Sequence, residues 1–201
     1  MRWFAVLSAA LPIPLDLGGF SATIDGRPTH PFFVNRNQAN LQLPFGLTAG
    51  RKIFVITVNG VRSVPYFLEI ADSGPGVFTY DDGRRAVAQN VSNTQNYTLN
   101  SAQDPIGPGG VLIVYITGQG ELDAAIPTGA VAPSSPLSRP RLPVRATIGG
   151  RAVRGTFVMT PGLAGVLQGN LEIDGLAAGE QELIVYIGEV PSKPTYVYIG
   201  N

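Results

Sequence analysis

Apolar and polar residues alternate along this chain in short runs, and turn residues separate the runs at intervals too close for long helices. Phe20-Ser21-Ala22-Thr23-Ile24 alternates and closes on Asp25-Gly26, a dipeptide that tolerates the positive φ of a two-residue hairpin turn. Phe32-Phe33-Val34 reads as a short strand, followed by the polar cluster Asn35-Arg36-Asn37 and a further strand over 38–43. A β-rich run at 52–58 turns at Asn59-Gly60 into another at 63–70. Apolar residues do not recur at helical spacing, so the pattern predicts a meander of short strands. Residues 3–11 are apolar up to Pro12 and Pro14 and read as a first strand with prolines at its end.

The meander is written twice. Gln38-Ala39-Asn40-Leu41 returns as Gln168-Gly169-Asn170-Leu171, and its flanks return with it. Residues 19–26 match 143–150, Phe33-Val34 matches Phe157-Val158, and Ala49-Gly50 matches Ala178-Gly179. Residues 52–58 match 182–187, 66–70 match 196–199, and 3–11 match 111–117. Order is kept throughout, as in a duplicated unit. Between the copies lies a tract at 89–104 rich in Asn, Gln and Ser, closed by Pro105, Gly107, Pro108, Gly109 and Gly110. The expected fold class is therefore all-β, with two tandem immunoglobulin-like β-sandwiches whose turn signals have the spacing of such domains. The expected division is a first sandwich at 1–74, a polar connecting segment at 75–109 and a second sandwich at 110–201. Within the connecting segment, 85–90 are expected to pair with 97–100 as a hairpin.

Composition narrows the function classes. Charged residues make up 14% of the chain against about 25% in an ordinary soluble domain. Acidic and basic residues balance at 14 each, which argues against a nucleic-acid partner, whose phosphates require an excess of Lys and Arg. With no Cys, there is no disulfide, thiol nucleophile or thiolate metal site. No apolar run reaches the roughly 18 residues of a membrane-spanning helix. Residues 1–10 carry a faint secretory pattern, but their place in the repeat gives them a role as a strand, so cleavage is not expected.

Several motifs, in order, resemble a conserved C-terminal module of acidobacterial (Solibacter-type) exported proteins. They are Pro75-Gly76-Val77-Phe78-Thr79, Ala88-Gln89-Asn90, Leu99-Asn100-Ser101 and Val114-Tyr115-Ile116-Thr117-Gly118-Gln119-Gly120. Residues 160–170, from Thr160-Pro161-Gly162 to Gln168-Gly169-Asn170, complete the set, and 34–44 look like the family's strand ending in Gln-x-Asn and a proline. The chain departs from the family at Leu7-Ser8-Ala9-Ala10-Leu11, where a Gly-rich turn is usual. The resemblance implies an exported protein with paired immunoglobulin-like, IPT/TIG-like sandwiches, and it brings no biochemical activity with it.

Candidate chemistry is sparse. Gln38, Asn40, Gln168 and Asn170 offer donors and acceptors suited to sugar hydroxyls, but a feature kept in both halves fits a fold requirement better. His30, the only His, sits between Thr29 and Pro31, where it reads as a surface turn residue with no nucleophile or second metal ligand beside it. Asp81-Asp82-Gly83, with Asp72 and Asp104, has no EF-hand spacing and reads as a turn. Arg139, Arg141, Arg145, Arg151 and Arg154 read as a solvated face, and the Asn90-Val91-Ser92 and Asn96-Tyr97-Thr98 sequons as coincidence. Tyr196 and Tyr198, with Tyr115, Tyr186 and the 89–100 loop, are the aromatics that a glycan platform would use. Trp3, Phe4, Val6 and Leu7 lie on an apolar end strand that could complete a neighbour's sheet. The expectation is a non-enzymatic extracellular or cell-surface structural or adhesion module without metal or cofactor. Its expected partners are itself through strand donation, surface polysaccharide or other surface proteins, and the alternative is a carbohydrate-binding module of a secreted protein.

Overall fold

The computed structural model describes residues 5–80, 83–92 and 97–201. Their helical or extended structure is all β, and the named strand pairs are antiparallel. The chain divides into two units. The first comprises Met1–Asp72, Ala124–Leu137 and Pro161–Gly165, and the second Ser73–Asp123, Ser138–Thr160 and Val166–Asn201. This differs from the consecutive division at 74 and 109, because 75–109 belong to the second unit and two later segments belong to the first.

The first unit contains β1 (Val6–Leu7), β2 (Phe20–Ile24), β3 (Arg27–Pro28), β4 (His30–Val34), β5 (Ala39–Gln42), β6 (Gly50–Val58), β7 (Val61–Arg62) and β8 (Tyr66–Ile70). One sheet has the order β1-β4-β5, and the other the order β3-β2-β6-β7 with β8 also on β6. Both sheets feed one core, in which Leu17, Phe20, Ala22 and Val34 are buried and Val6, Ala39, Leu41, Phe54, Ile56 and Val58 are half-buried around them. The hairpins turn where expected. Asp25 and Gly26, and again Asn59 and Gly60, all have positive φ, as a two-residue type I′ turn requires.

The second unit contains β9 (Gly76–Val77), β10 (Ala88–Val91), β11 (Tyr97–Leu99), β12 (Val111–Thr117), β13 (Val144–Ile148), β14 (Arg151–Val153), β15 (Gly155–Met159), β16 (Leu167–Glu172), β17 (Gly179–Ile187), β18 (Val190–Pro191) and β19 (Thr195–Ile199). One sheet runs β11-β10-β12-β16-β15 with β9 also on β12, and the other runs β14-β13-β17-β18 with β19 also on β17. Alternate residues point inward and are fully buried: Leu112, Val114 and Ile116 on β12, Leu167 and Leu171 on β16, Leu183, Val185 and Ile187 on β17. Each such side chain taken from water stabilises the fold by about 1.5–3 kcal/mol.

The repeat survives in the strands from β2 to β8, which correspond to β13 to β19 in the same order. It fails at the first strand. β12 pairs with β16 over six residue pairs, from Val111↔Glu172 to Ile116↔Leu167. β1 instead pairs with β4, through Val6↔Val34 and Leu7↔Phe33, on the opposite side of its sheet. Residues 3–11 and 111–117 therefore match in sequence but not in place. The first unit has no strand beside β5 where the second has β12 beside β16, among the described residues.

Candidate functional site

The repeated amides stand two residues apart in each half and bond to each other, Gln38 just ahead of β5 and Gln168 within β16. Gln38 donates from Nε2 to Asn40 Oδ1 at 2.7 Å, and Gln168 donates to Asn170 Oδ1 at the same distance. Asn170 Nδ2 also donates to Thr156 Oγ1 at 3.3 Å. Alternation by two brings residues i and i+2 side by side, so this pair needs nothing beyond the strand itself. A second shared device is legible only in hindsight: Ser63-Val64-Pro65 and Ser192-Lys193-Pro194. In each, the serine hydroxyl supplies an acceptor to the neighbouring strand, taking a hydrogen bond from Ile56 N in one half and from Val185 N in the other, at 3.1 Å each.

The polar tract expected at the surface holds the most buried polar residues of its region. Asn100 donates from Nδ2 to Tyr198 O at 2.8 Å and accepts on Oδ1 from Tyr198 N at 2.7 Å, so its side chain takes the place of a neighbouring strand at the edge of β19. Asn100 Nδ2 also donates to Asn90 Oδ1 at 2.8 Å, and Asn90 Nδ2 donates to Asp104 O at 2.7 Å. The same edge is closed further by Tyr196 N to Arg84 O, Ala86 N to Tyr196 O and Ile106 N to Tyr198 O. Segment 75–109 is thus a structural closure of the second unit, and its amides are polar because they replace backbone partners. Asn90 is buried, which removes the first sequon from solvent, while Asn96 of the second lies outside the described residues.

Tyr196 and Tyr198 stand on the outward face of β19, half-buried. The Arg84 guanidinium lies 4.2 Å from the Tyr196 ring centroid and pairs with Glu180, which also accepts from Tyr198 Oη at 3.2 Å. Tyr186 on β17 is covered in the same way by Arg145, at 3.6 Å. Tyr115 donates to Gln89 Oε1 at 2.6 Å, and burial, with Tyr97 nearby, pushes its phenol above the usual value. Of the tyrosines expected as a glycan platform, Tyr186 and Tyr196 are therefore stacked against arginines of their own chain, and Tyr115 and Tyr198 are hydrogen-bonded to Gln89 and Glu180.

The remaining candidates are engaged as well. His30 begins β4 rather than sitting in a turn, and its Nδ1 donates to Ile13 O at 2.6 Å. Gly129, from the 124–137 segment of the first unit, binds that same loop and the end of β5: its carbonyl accepts from Ile13 N at 2.8 Å and its N–H donates to Gln42 Oε1 at 3.0 Å. Four of the five clustered arginines have partners: Arg141 with Glu121 at 3.7 Å, Arg145 with Glu189 at 3.9 Å, Arg154 with Glu172 at 3.1 Å, and Arg151 with Gly175 O. Asp81 and Asp82 lie outside the described residues, and among the described residues no cluster of His, Asp and Glu has metal-binding geometry.

What stands out instead is apolar and lies in the first unit. Cross-strand pairing aligns Tyr66, Leu68 and Ile70 of β8 with Thr195, Val197 and Ile199 of β19. The β19 residues are buried, Val197 completely, whereas Leu68 is 37% and Tyr66 57% exposed. Ala39 and Leu41 of β5, and Phe54, Ile56 and Val58 of β6, are likewise half-buried where their counterparts are fully covered. Trp3 and Phe4 of the expected assembly strand lie outside the described residues. Val6 packs on the core, and Leu7 is 72% exposed. No protein-family model matches this chain, and a search of curated proteins finds no relative.

Proposed function

We propose that the chain is a non-enzymatic structural or adhesion module of the cell surface or extracellular space, built to associate with its own kind. The observation that carries this reading is the contrast within the chain: the second unit is closed, while the first leaves the inner face of β5, β6 and β8 half open. An apolar inner face on an unpaired strand edge is the chemistry of strand addition. The low charge content and the engagement of His30 by Ile13 O support a role without catalysis. Export rests on the resemblance to acidobacterial exported modules. Assays of the purified chain against ester, glycoside, peptide and phosphate substrates test the reading, and turnover lost in a single-residue variant such as His30→Ala overturns it.

A glycan-binding role is the second reading, favoured by Tyr186, Tyr196 and Tyr198 sharing the outward face of one sheet. Retardation in affinity gels that is lost on Tyr196→Ala and Tyr198→Ala is its test.

A further inference from the structure

Resting on the proposal that the chain associates with itself, we infer that the edge of β5, which pairs with no strand among the described residues, accepts residues 5–11 of a second copy as an added antiparallel strand. The second unit displays the completed form of this arrangement. There β12 lies along β16, and its Leu112, Val114 and Ile116 close the inner face. In the first unit the counterpart of β16 is β5, whose Ala39 and Leu41 stand where Gly169 and Leu171 meet β12. On the other sheet of the unit, Leu68 and Tyr66 of β8 are exposed where their β19 counterparts are covered.

The occupant is identified by the repeat. Residues 3–11 stand before the β2 hairpin as 111–117 stand before the β13 hairpin, and both runs are apolar. Among the described residues this segment is held to β4 by two residue pairs and by Ser8 N donating to Phe32 O at 2.9 Å, while Leu7 and Leu11 remain 72% and 62% exposed. The period of two along a strand would group Ala5, Leu7, Ala9 and Leu11 on one face, and Pro12 ends the run. That face supplies the apolar cover that β12 gives the second unit. Donor and acceptor are different surfaces, so the contact is heterologous and propagates from copy to copy unless it closes into a ring.

Two full-length variants at exposed positions separate donor from acceptor without touching either core. Leu7→Glu disables the donor and Leu68→Glu the acceptor, because each places a charge in a face that association must bury. Light scattering over a concentration series should show the parent chain associating. Each variant alone should require at least about tenfold higher concentration, with unchanged circular dichroism. Mixing the two should restore association, limited to pairs, because each supplies the surface the other lacks. A parent that stays monomeric at all concentrations overturns the inference, as do variants that associate like the parent or a mixture that fails to pair. A monomeric parent overturns the self-association reading along with the inference, whereas variants that associate like the parent, or a mixture that fails to pair, overturn the inference alone.

Discussion

Leu41 and Leu171 follow the same Gln-x-Asn in the two halves, yet Leu171 is completely buried and Leu41 only partly so. The strands that carry them are alike, and what differs is the neighbour: β16 has β12 on its far side, and β5 has no strand there among the described residues. The edges of β8 and β19 show the same contrast. Asn100, Arg84, Ala86 and Ile106 dress the β19 edge with five backbone-directed hydrogen bonds from segment 75–109. A duplicated strand set therefore sets the layout of a unit, while its closure depends on segments outside the duplication.

The largest test of that contrast is a matched pair of truncations. Leu171→Ala should destabilise the chain by about 2–5 kcal/mol, because the cavity it opens is walled by β12. Leu41→Ala should cost less than half as much, since its site is already half open to water. Denaturation midpoints at constant slope read both values, and equal losses would break the comparison. Asn100→Ala comes next. It takes the hydrogen-bond partner from Tyr198 N and Asn90 Oδ1, while Tyr198 O keeps Ile106 N, at about 1–3 kcal/mol, and hydrogen exchange at Tyr198 should rise with the loss.

A subtler test uses how each half fills the same inner volume. Phe157 pairs with Gly169 in the second unit, and Val34 pairs with Ala39 in the first. A methyl on Gly169 would lie 2.8 Å from Phe157 Cε1 and 3.1 Å from Val114 Cγ2. Gly169→Ala should therefore cost about 1–3 kcal/mol by overpacking. Adding Phe157→Val, which recreates the pair of the first unit, should recover part of that loss, and additive effects in the double-mutant cycle would count against it.

The turns were legible in the sequence because Asp25-Gly26 and Asn59-Gly60 carry their backbone requirement in their own chemistry. The alternating strands and the duplication were legible for the same local reason. Strand partners were not: 3–11 and 111–117 look alike, but pairing is decided by which edge is free, and β1 took the β4 edge. Asn90 and Asn100 misled because amides are polar whether they face water or replace a strand. The exposure of Leu68 left no mark either, since Tyr66-Phe67-Leu68 is as apolar as a covered strand. His30 read as a turn residue because Pro31 follows it, although a proline can sit in a short strand beside an irregular pairing, as the shift between Pro31 and Phe33 shows.

The smallest expected difference between the halves lies at their first hairpins. Asp25 occupies the turn position that Gly149 holds in the second unit, and both have positive φ. The Ile53 N–H donates to Asp25 Oδ1 at 2.8 Å, and with Lys52 at 3.4 Å from the other oxygen it draws the carboxyl below its usual value of 3.8. A carboxyl whose folded value is lowered adds stability that is present above the unfolded value and fades as pH falls through the folded one. The first unit should therefore weaken through this group as pH falls through and below the ordinary carboxylate range, while the hairpin at Gly149-Gly150 has no such group to protonate. Asp25→Gly writes the second hairpin into the first. It should flatten the acid limb of the midpoint-against-pH curve and leave neutral-pH stability nearly unchanged, because relief of the left-handed backbone offsets part of the lost hydrogen bond. An acid limb of unchanged depth in this variant would mean that the two hairpins differ in sequence but not in their response to protons.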